Sequence, residues 1–390
     1  MRRALLAGLL ACASPLLAAA TLDVAAGDAA VFIHLEASGR ASLAVYADRV
    51  GLVWEDNRSG APRCHLGVKH RAEPAFRVFP FGRGECFEPG LSPLPDGRFL
   101  LIWEDEAGVG VGIAGADGPL ASSVLAPAGG QGAVAHHPSL GAMAVWTAPE
   151  GRWRRLWSAP LRIDGLALSP GPARPVDAAP PRDDQSFPAL AATAEGLALV
   201  WEDRRLGHTV IFGSRDLHGQ DWTPPRRVSA NPSGQAAPGL GRGTGAMRPA
   251  LAAFGARLAA VWLDKRDFLS GYDVYAAFSD DGGASYGKDT KAQDSFGDAI
   301  AQWHAAVAGN RRGDLVVAFD DERDSSADVW LTRWTASGWG GDFSPADASG
   351  AGRQGDPAIA LDDTGHLHLA WIERDAVGTT RLRYTMLPPP

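Results

Sequence analysis

A recurrence constrains this chain more than any other feature. The stretch Leu52-Val53-Trp54-Glu55-Asp56-Asn57-Arg58 returns as Leu101-Ile102-Trp103-Glu104-Asp105, Ala144-Val145-Trp146, Leu199-Val200-Trp201-Glu202-Asp203-Arg204-Arg205 and Ala260-Val261-Trp262-Leu263-Asp264-Lys265-Arg266. Two further copies are Val317-Ala318-Phe319-Asp320-Asp321-Glu322-Arg323 and Leu369-Ala370-Trp371-Ile372-Glu373-Arg374. Their aromatics are 49, 43, 55, 61, 57 and 52 residues apart. Self-similarity at this period, with short β-type segments inside each unit, marks a repeat architecture of propeller blades. Seven copies predict an all-β, seven-bladed β-propeller with four-stranded blades. Such a ring holds residues 21–390 as one domain, although a chain of this length would otherwise suggest two or more. The 47 Gly and 28 Pro suit short strands and turns.

The ends bear on closure and export. Met1-Arg2-Arg3, an apolar run from Ala4 to Leu17, and Ala18-Ala19-Ala20 read as a secretory signal over residues 1–20. The run is too short for a membrane span. Leu9-Leu10-Ala11-Cys12 resembles a lipobox, so lipidation at Cys12 is an alternative. The expected location is secreted, periplasmic or cell-surface. Beyond the signal only Cys64 and Cys86 remain, and an even pair in an exported protein predicts a disulfide; two buried thiols are the competing reading. The chain stops after the third strand of the last blade, near residues 381–386, and Pro388-Pro389-Pro390 cannot extend a ladder. The apolar segment 29–35 has no blade of its own. Pairing it with the last blade would close the ring and remove an open edge.

The unit is clearest at residues 246–286, where strands at 249–252, 257–262 and 273–278 lead into Ser279-Asp280-Asp281-Gly282-Gly283-Ala284-Ser285-Tyr286. That octet resembles the Asp-box of the sialidase-like (BNR repeat) propellers. Ser214 to Trp222 is similar with one residue inserted, and Thr332 to Trp339 is a worn third copy. The resemblance implies a ligand face opposite the Asp-box turns, and there two rings of side chains meet.

The first ring stands two residues after each aromatic: Asp56, Asp105, Ala148, Asp203, Asp264, Asp321 and Glu373. Arg58, Arg205, Arg266 and Arg323 recur two places further on. A turn repeated in every blade explains such repetition better than a function needed once, with Asp accepting from turn amides and from the Arg. The second ring precedes each first strand: Arg40, Glu88, His137, Phe187, Arg248, His304 and Asp356, with Trp303 beside it. Its members differ in charge, size and chemistry, which the fold does not require. They are therefore the expected ligand-binding residues at the mouth of the central channel, with drift on a solvated rim as the competing reading. Pro249 predicts an extended backbone at Arg248.

A net charge of −8 argues against nucleic acid as a partner. The resemblance implies a sialic-acid hydrolase with three clamping arginines, a Tyr nucleophile activated by Glu, and an Asp acid. Arg40 and Arg248 offer two arginines, but the family's Arg-Ile-Pro segment is absent and the five tyrosines fall away from the axis. A metal-assisted polysaccharide lyase would draw on His136, His137 and His304 with Gln302 or Gln354. The favoured expectation is a non-catalytic binding propeller, monomeric and without cofactor. It would recognise a glycan, peptide or small polar ligand, with Phe187 and Trp303 as stacking surfaces and Arg248, Glu88 and Asp356 fixing polar groups.

Overall fold

The computed structural model describes residues 20–35, 41–230, 245–266 and 271–389. Cys12, Arg40 and the signal segment lie outside them. Seven antiparallel sheets form the blades of a propeller. Blade 2 shows the plan, with strands Cys86–Pro93, Phe99–Asp105, Gly108–Gly115 and Gly118–Ala126 following in order from the axis outward.

The second strand of each blade is apolar on both faces because two neighbours cover it. Leu52 and Trp54 pack with Ala370, Ile372 and Leu382 of blade 7, whereas Val53, between them, packs with Leu91, Leu101 and Trp103 of blade 2. The same arrangement holds round the ring. Trp103, Trp146, Trp201, Trp262, Phe319 and Trp371 each enter the core shared with the preceding blade. All seven repeat aromatics are at most 5% exposed. Burying each contributes roughly 2–3 kcal/mol, so the recurrence in the sequence is the recurrence of an interface.

An N-terminal strand completes the last blade, but not the expected segment. Leu22–Gly27 pairs with Thr380–Leu387, with Leu22 opposite Tyr384 and Gly27 opposite Thr380. Within 29–35, Ile33–His34 instead pairs with the second strand of blade 1, and Ile33 and Leu35 are buried between blades 7 and 1. The more apolar stretch goes to the core, while the outermost strand, half in solvent, needs only the mixed pattern of an edge.

Blade 3 also departs from expectation. Its first strand is Gly130–His137, so His137 ends the strand instead of preceding it. His137-Pro138-Ser139-Leu140 resembles the Pro-containing starts of blades 2, 4 and 5, yet it forms the hairpin into Gly141–Glu150. There His137 Nδ1 accepts from the amides of Ser139 and Leu140, both at 3.2 Å.

Cys64 and Cys86 form a disulfide with Cα atoms 5.3 Å apart, joining the third strand of blade 1 to the first of blade 2. On the face opposite the channel mouth, Asp281 accepts from Ser279 Oγ at 2.8 Å and from the Ser285 amide at 2.9 Å. Gly282 and Gly283 take the positive φ of that turn, 62° and 88°.

Candidate functional site at the channel mouth

Among the described residues, the first strands of blades 2–7 each open on a bulge. Glu88, Gln131, Phe187, Arg248, His304 and Asp356 all have φ between 49° and 54°, and a break in strand register follows each. The extended backbone expected at Arg248 is thus corrected: the bulge imposes a left-handed residue there, before Pro249. Glycine would adopt this conformation without strain. Six side chains are kept instead, and the blade does not dictate which.

Neighbouring ring residues touch. Arg248 Cζ lies 3.7 Å from the Phe187 ring centroid. His304 sits between two carboxylates, Nδ1 at 2.7 Å from Asp320 and Nε2 at 3.2 Å from Asp356. Gln131 Oε1 accepts from the Phe187 amide at 3.2 Å. Glu88, Phe187, Arg248, His304 and Asp356 thus stand at equivalent bulge positions of the mouth, with Trp303 beside His304. His137 does not, and Gln131 takes its place.

A layer of acids beneath this ring escaped the sequence reading. They are the residues directly after the repeat aromatic. Glu55 accepts from the Glu88 amide at 2.6 Å, Glu104 from the Gln131 amide at 2.5 Å, and Glu202 from the Arg248 amide at 2.6 Å. Each reaches from its own blade to the next, satisfying the amide that the bulge turns out of the ladder. In blade 3 this position is Thr147, and Gln131 supplies the acceptor instead. A signal for this layer existed: the position reads Glu55, Glu104, Thr147, Glu202, Leu263, Asp320 and Ile372. It varies more than its neighbour two places after the aromatic, which is Asp in five of the seven copies.

Glu202 stands out among them. Burial pushes its carboxyl up to about 7, against the opposing effects of the Arg248 amide and the charges of Arg248 and Arg204. Its neighbour Asp203 is fully buried and faces the opposite fate. Although burial works against it, hydrogen bonds from Arg205 and Trp201 hold the Asp203 carboxyl below its usual range. Asp203 accepts from Trp201 Nε1 at 3.0 Å and from the Arg205 amide and Nε at 2.9 and 2.8 Å. Asp56 and Asp264 bind their Trp and Arg in the same way. The first ring is structural, as expected, with the indole N–H as a partner the sequence did not announce. Two blades differ: in blade 3 Ala148 replaces the acid, in blade 7 Glu373 accepts from Arg381 and Arg383 instead, and Trp146 Nε1 and Trp371 Nε1 have no partner.

Behind the mouth runs a channel of about 340 Å³ lined by small apolar residues, among them Gly90, Ala133, Ala250, Ala306 and Ala358. His136 lines its far part, at the opposite end of the first strands from His304. The three histidines of the lyase reading are thus not brought together, and the described residues contain no group of three or more His, Cys, Asp or Glu that could hold a metal. The tyrosines are also set apart. Tyr46 ends a first strand on the far face, Tyr275 lies under Arg266, Tyr286 follows the Asp281 turn, and Tyr384 Oη is 2.6 Å from the buried His368 Nδ1. Tyr272 does reach the mouth, where it packs against Trp303.

No protein-family model and no curated protein sequence matches the chain. Solved structures do match. A Penicillium chrysogenum alpha-L-arabinanase complexed with arabinobiose is 13% identical, with a TM-score of 0.52 over 78% of this chain and 93% of that one. A Dyadobacter fermentans protein of unknown function is 10% identical, with a TM-score of 0.56 over 95% and 99%. The propeller domain of the Pyrococcus furiosus Trilobed protease is 10% identical, with a TM-score of 0.50 over 89% and 94%. At these identities the likeness is one of fold. It nevertheless corrects the expectation of a non-catalytic binding propeller. The same fold carries an arabinanase in the Penicillium protein.

Proposed function

We propose that the chain is a glycoside hydrolase acting at the channel mouth, with Glu202 as the proton donor. The observation that carries this reading is a carboxyl at the mouth whose burial holds it protonated to about pH 7, bonded to the amide of the ring residue Arg248. Glycosidic C–O cleavage needs such a group, because the departing oxygen must be protonated as the bond breaks. A second carboxyl is also required, to take a proton from the attacking water or to attack the anomeric carbon itself. Asp356, on the same mouth and within 3.2 Å of His304 Nε2, is the proposed second group. The separation of the two carboxyls decides between inversion and retention.

The fold shared with the arabinanase selects the first substrates, arabinobiose and an aryl alpha-L-arabinofuranoside. The sialic-acid reading has weaker support. One face of Phe187 is covered by Arg248, and the tyrosines lie apart from the acids of the mouth except Tyr272, which is packed on Trp303. The Cys64–Cys86 disulfide favours an oxidising compartment, and no helix among the described residues is long and apolar enough to cross a membrane.

The test is a pH–rate profile of the wild type and Glu202→Gln. Because the active form is protonated, the wild-type rate should fall as pH rises through about 7. Glu202→Gln should lose about 10²–10⁴ in rate and the basic limb with it. A variant with wild-type turnover would remove Glu202 from the mechanism.

A further inference from the structure

The mouth is chemically lopsided. Acids follow the repeat aromatic in blades 1, 2, 4 and 6, but blade 5 has Leu263, which packs with Met247 and Tyr272. Over this apolar sector stands Trp303. Of the 13 tryptophans it is the one that is exposed, at 41%. Its indole is held by Tyr272, with ring centroids 5.2 Å apart and planes tilted by 57°. Lys265 Nζ lies 5.2 Å from the Tyr272 ring.

The backbone beneath Trp303 is fixed. The buried Gln302 donates its amide to Tyr272 O at 2.8 Å. Its side chain reaches Gly297 O, Ile300 O and Asp321 Oδ2 at 2.9, 2.6 and 3.2 Å. On the other side comes His304 with its two carboxylate partners. An exposed aromatic face, rigidly seated between an apolar floor and a row of hydrogen-bonding groups, suits a ligand that is apolar on its flat side and polar at its rim.

We propose that Trp303 forms a saccharide-stacking subsite on the same mouth as Glu202, so that the substrate is a neutral oligosaccharide of at least two units. The C–H face of one sugar ring lies on the indole, whose face carries partial negative charge, while its hydroxyls meet His304 and Asp356. Phe187 cannot share this role on the face that Arg248 covers. The inference rests on the hydrolase reading for the position of the bond to be cut, but not for the binding itself.

Calorimetric titration of the full chain, its Trp303→Ala and Trp303→Phe variants and a Leu166→Ala surface control would test it. The probes are arabinose, arabinobiose, arabinotriose, cellotriose and xylotriose, with hydrolysis followed in parallel. Trp303→Ala should weaken binding of at least one di- or trisaccharide about 10-fold without changing the monosaccharide. Trp303→Phe should restore most of it, and Leu166→Ala should match the wild type. Binding of the oligosaccharides that is unchanged by Trp303→Ala, a loss equal for mono- and oligosaccharides, or no binding of any probe would overturn the proposal. Trp303-dependent binding without hydrolysis of any probe would uphold the subsite and reject the hydrolase reading.

Discussion

Glu202 and Asp203 are adjacent, yet burial raises one carboxyl and hydrogen bonds lower the other, and Asp203→Ala separates the structural acceptor from the proposed proton donor. Asp203 is fully buried and accepts from Trp201 Nε1, from the Arg205 amide and guanidinium, and from Gln185 Nε2 at 3.2 Å. Truncation leaves the indole N–H without an acceptor. Arg205 and Gln185 each keep Asp177, at 2.7 and 3.0 Å, so neither is fully orphaned. One stranded buried donor costs about 1–3 kcal/mol, and a buried ion pair broken on one side costs about 3–5 kcal/mol. With Asp177 retained, about 3–4 kcal/mol is expected. Unfolding entropy near 2 cal/mol/K per residue converts this to a fall in Tm of about 4–5 °C for a chain of this length. The protein should still fold, since blade 3 already tolerates an unpartnered Trp146 Nε1 beside Ala148. Arg248→Ala is the comparison. It loses its stacking on Phe187 and should cost about 1 kcal/mol, or about 1 °C. Differential scanning calorimetry of both variants decides the matter. If Arg248→Ala melted several degrees lower while Asp203→Ala melted with the wild type, the division into a structural ring and a functional ring would be reversed.

Deleting residues 22–27 exposes the edge of Thr380–Leu387 and should give insoluble protein, whereas soluble protein that unfolds cooperatively would show that the ring closes without this strand. Replacing Cys64 and Cys86 together by Ala should lower stability by about 3 kcal/mol in chemical denaturation, from the loop-closure entropy of a 22-residue separation. Burial lowers the His368 imidazole to about 4 from its ordinary 6.5, so the unfolded chain takes up the proton first. Stability should therefore decline as pH falls from about 6.5 to about 4, by up to about 3 kcal/mol, and the decline should flatten in His368→Gln. Equal acid sensitivity in the two proteins would show that other groups set it.

The architecture was legible because one physical requirement recurs. Every blade buries an aromatic against the blade before it and most anchor the following turn with an acid, so Trp54, Trp201 and Trp262 with Asp56, Asp203 and Asp264 repeat at the blade period. The same logic picked out most of the bulge positions, as the set of equivalent places where residues do not repeat. It slipped at His137, where a Pro in a hairpin imitates a Pro after a bulge, and at 29–35, where hydrophobicity marks core and not the closing edge. The left-handed backbone at the ring has no local signature, and the variation at the position of Glu55, Glu104 and Glu202 marks them without revealing their reach to the next blade, because each depends on two blades meeting. Sequence alone therefore determined the number of blades, the interfaces between them and the ring of structural carboxylates, since these follow from a period. Tertiary structure decided which carboxyl is desolvated enough to hold a proton near pH 7 and which tryptophan stays in solvent. Burial of a charge and exposure of a ring are properties of the assembled mouth, set by neighbours that are far apart along the chain.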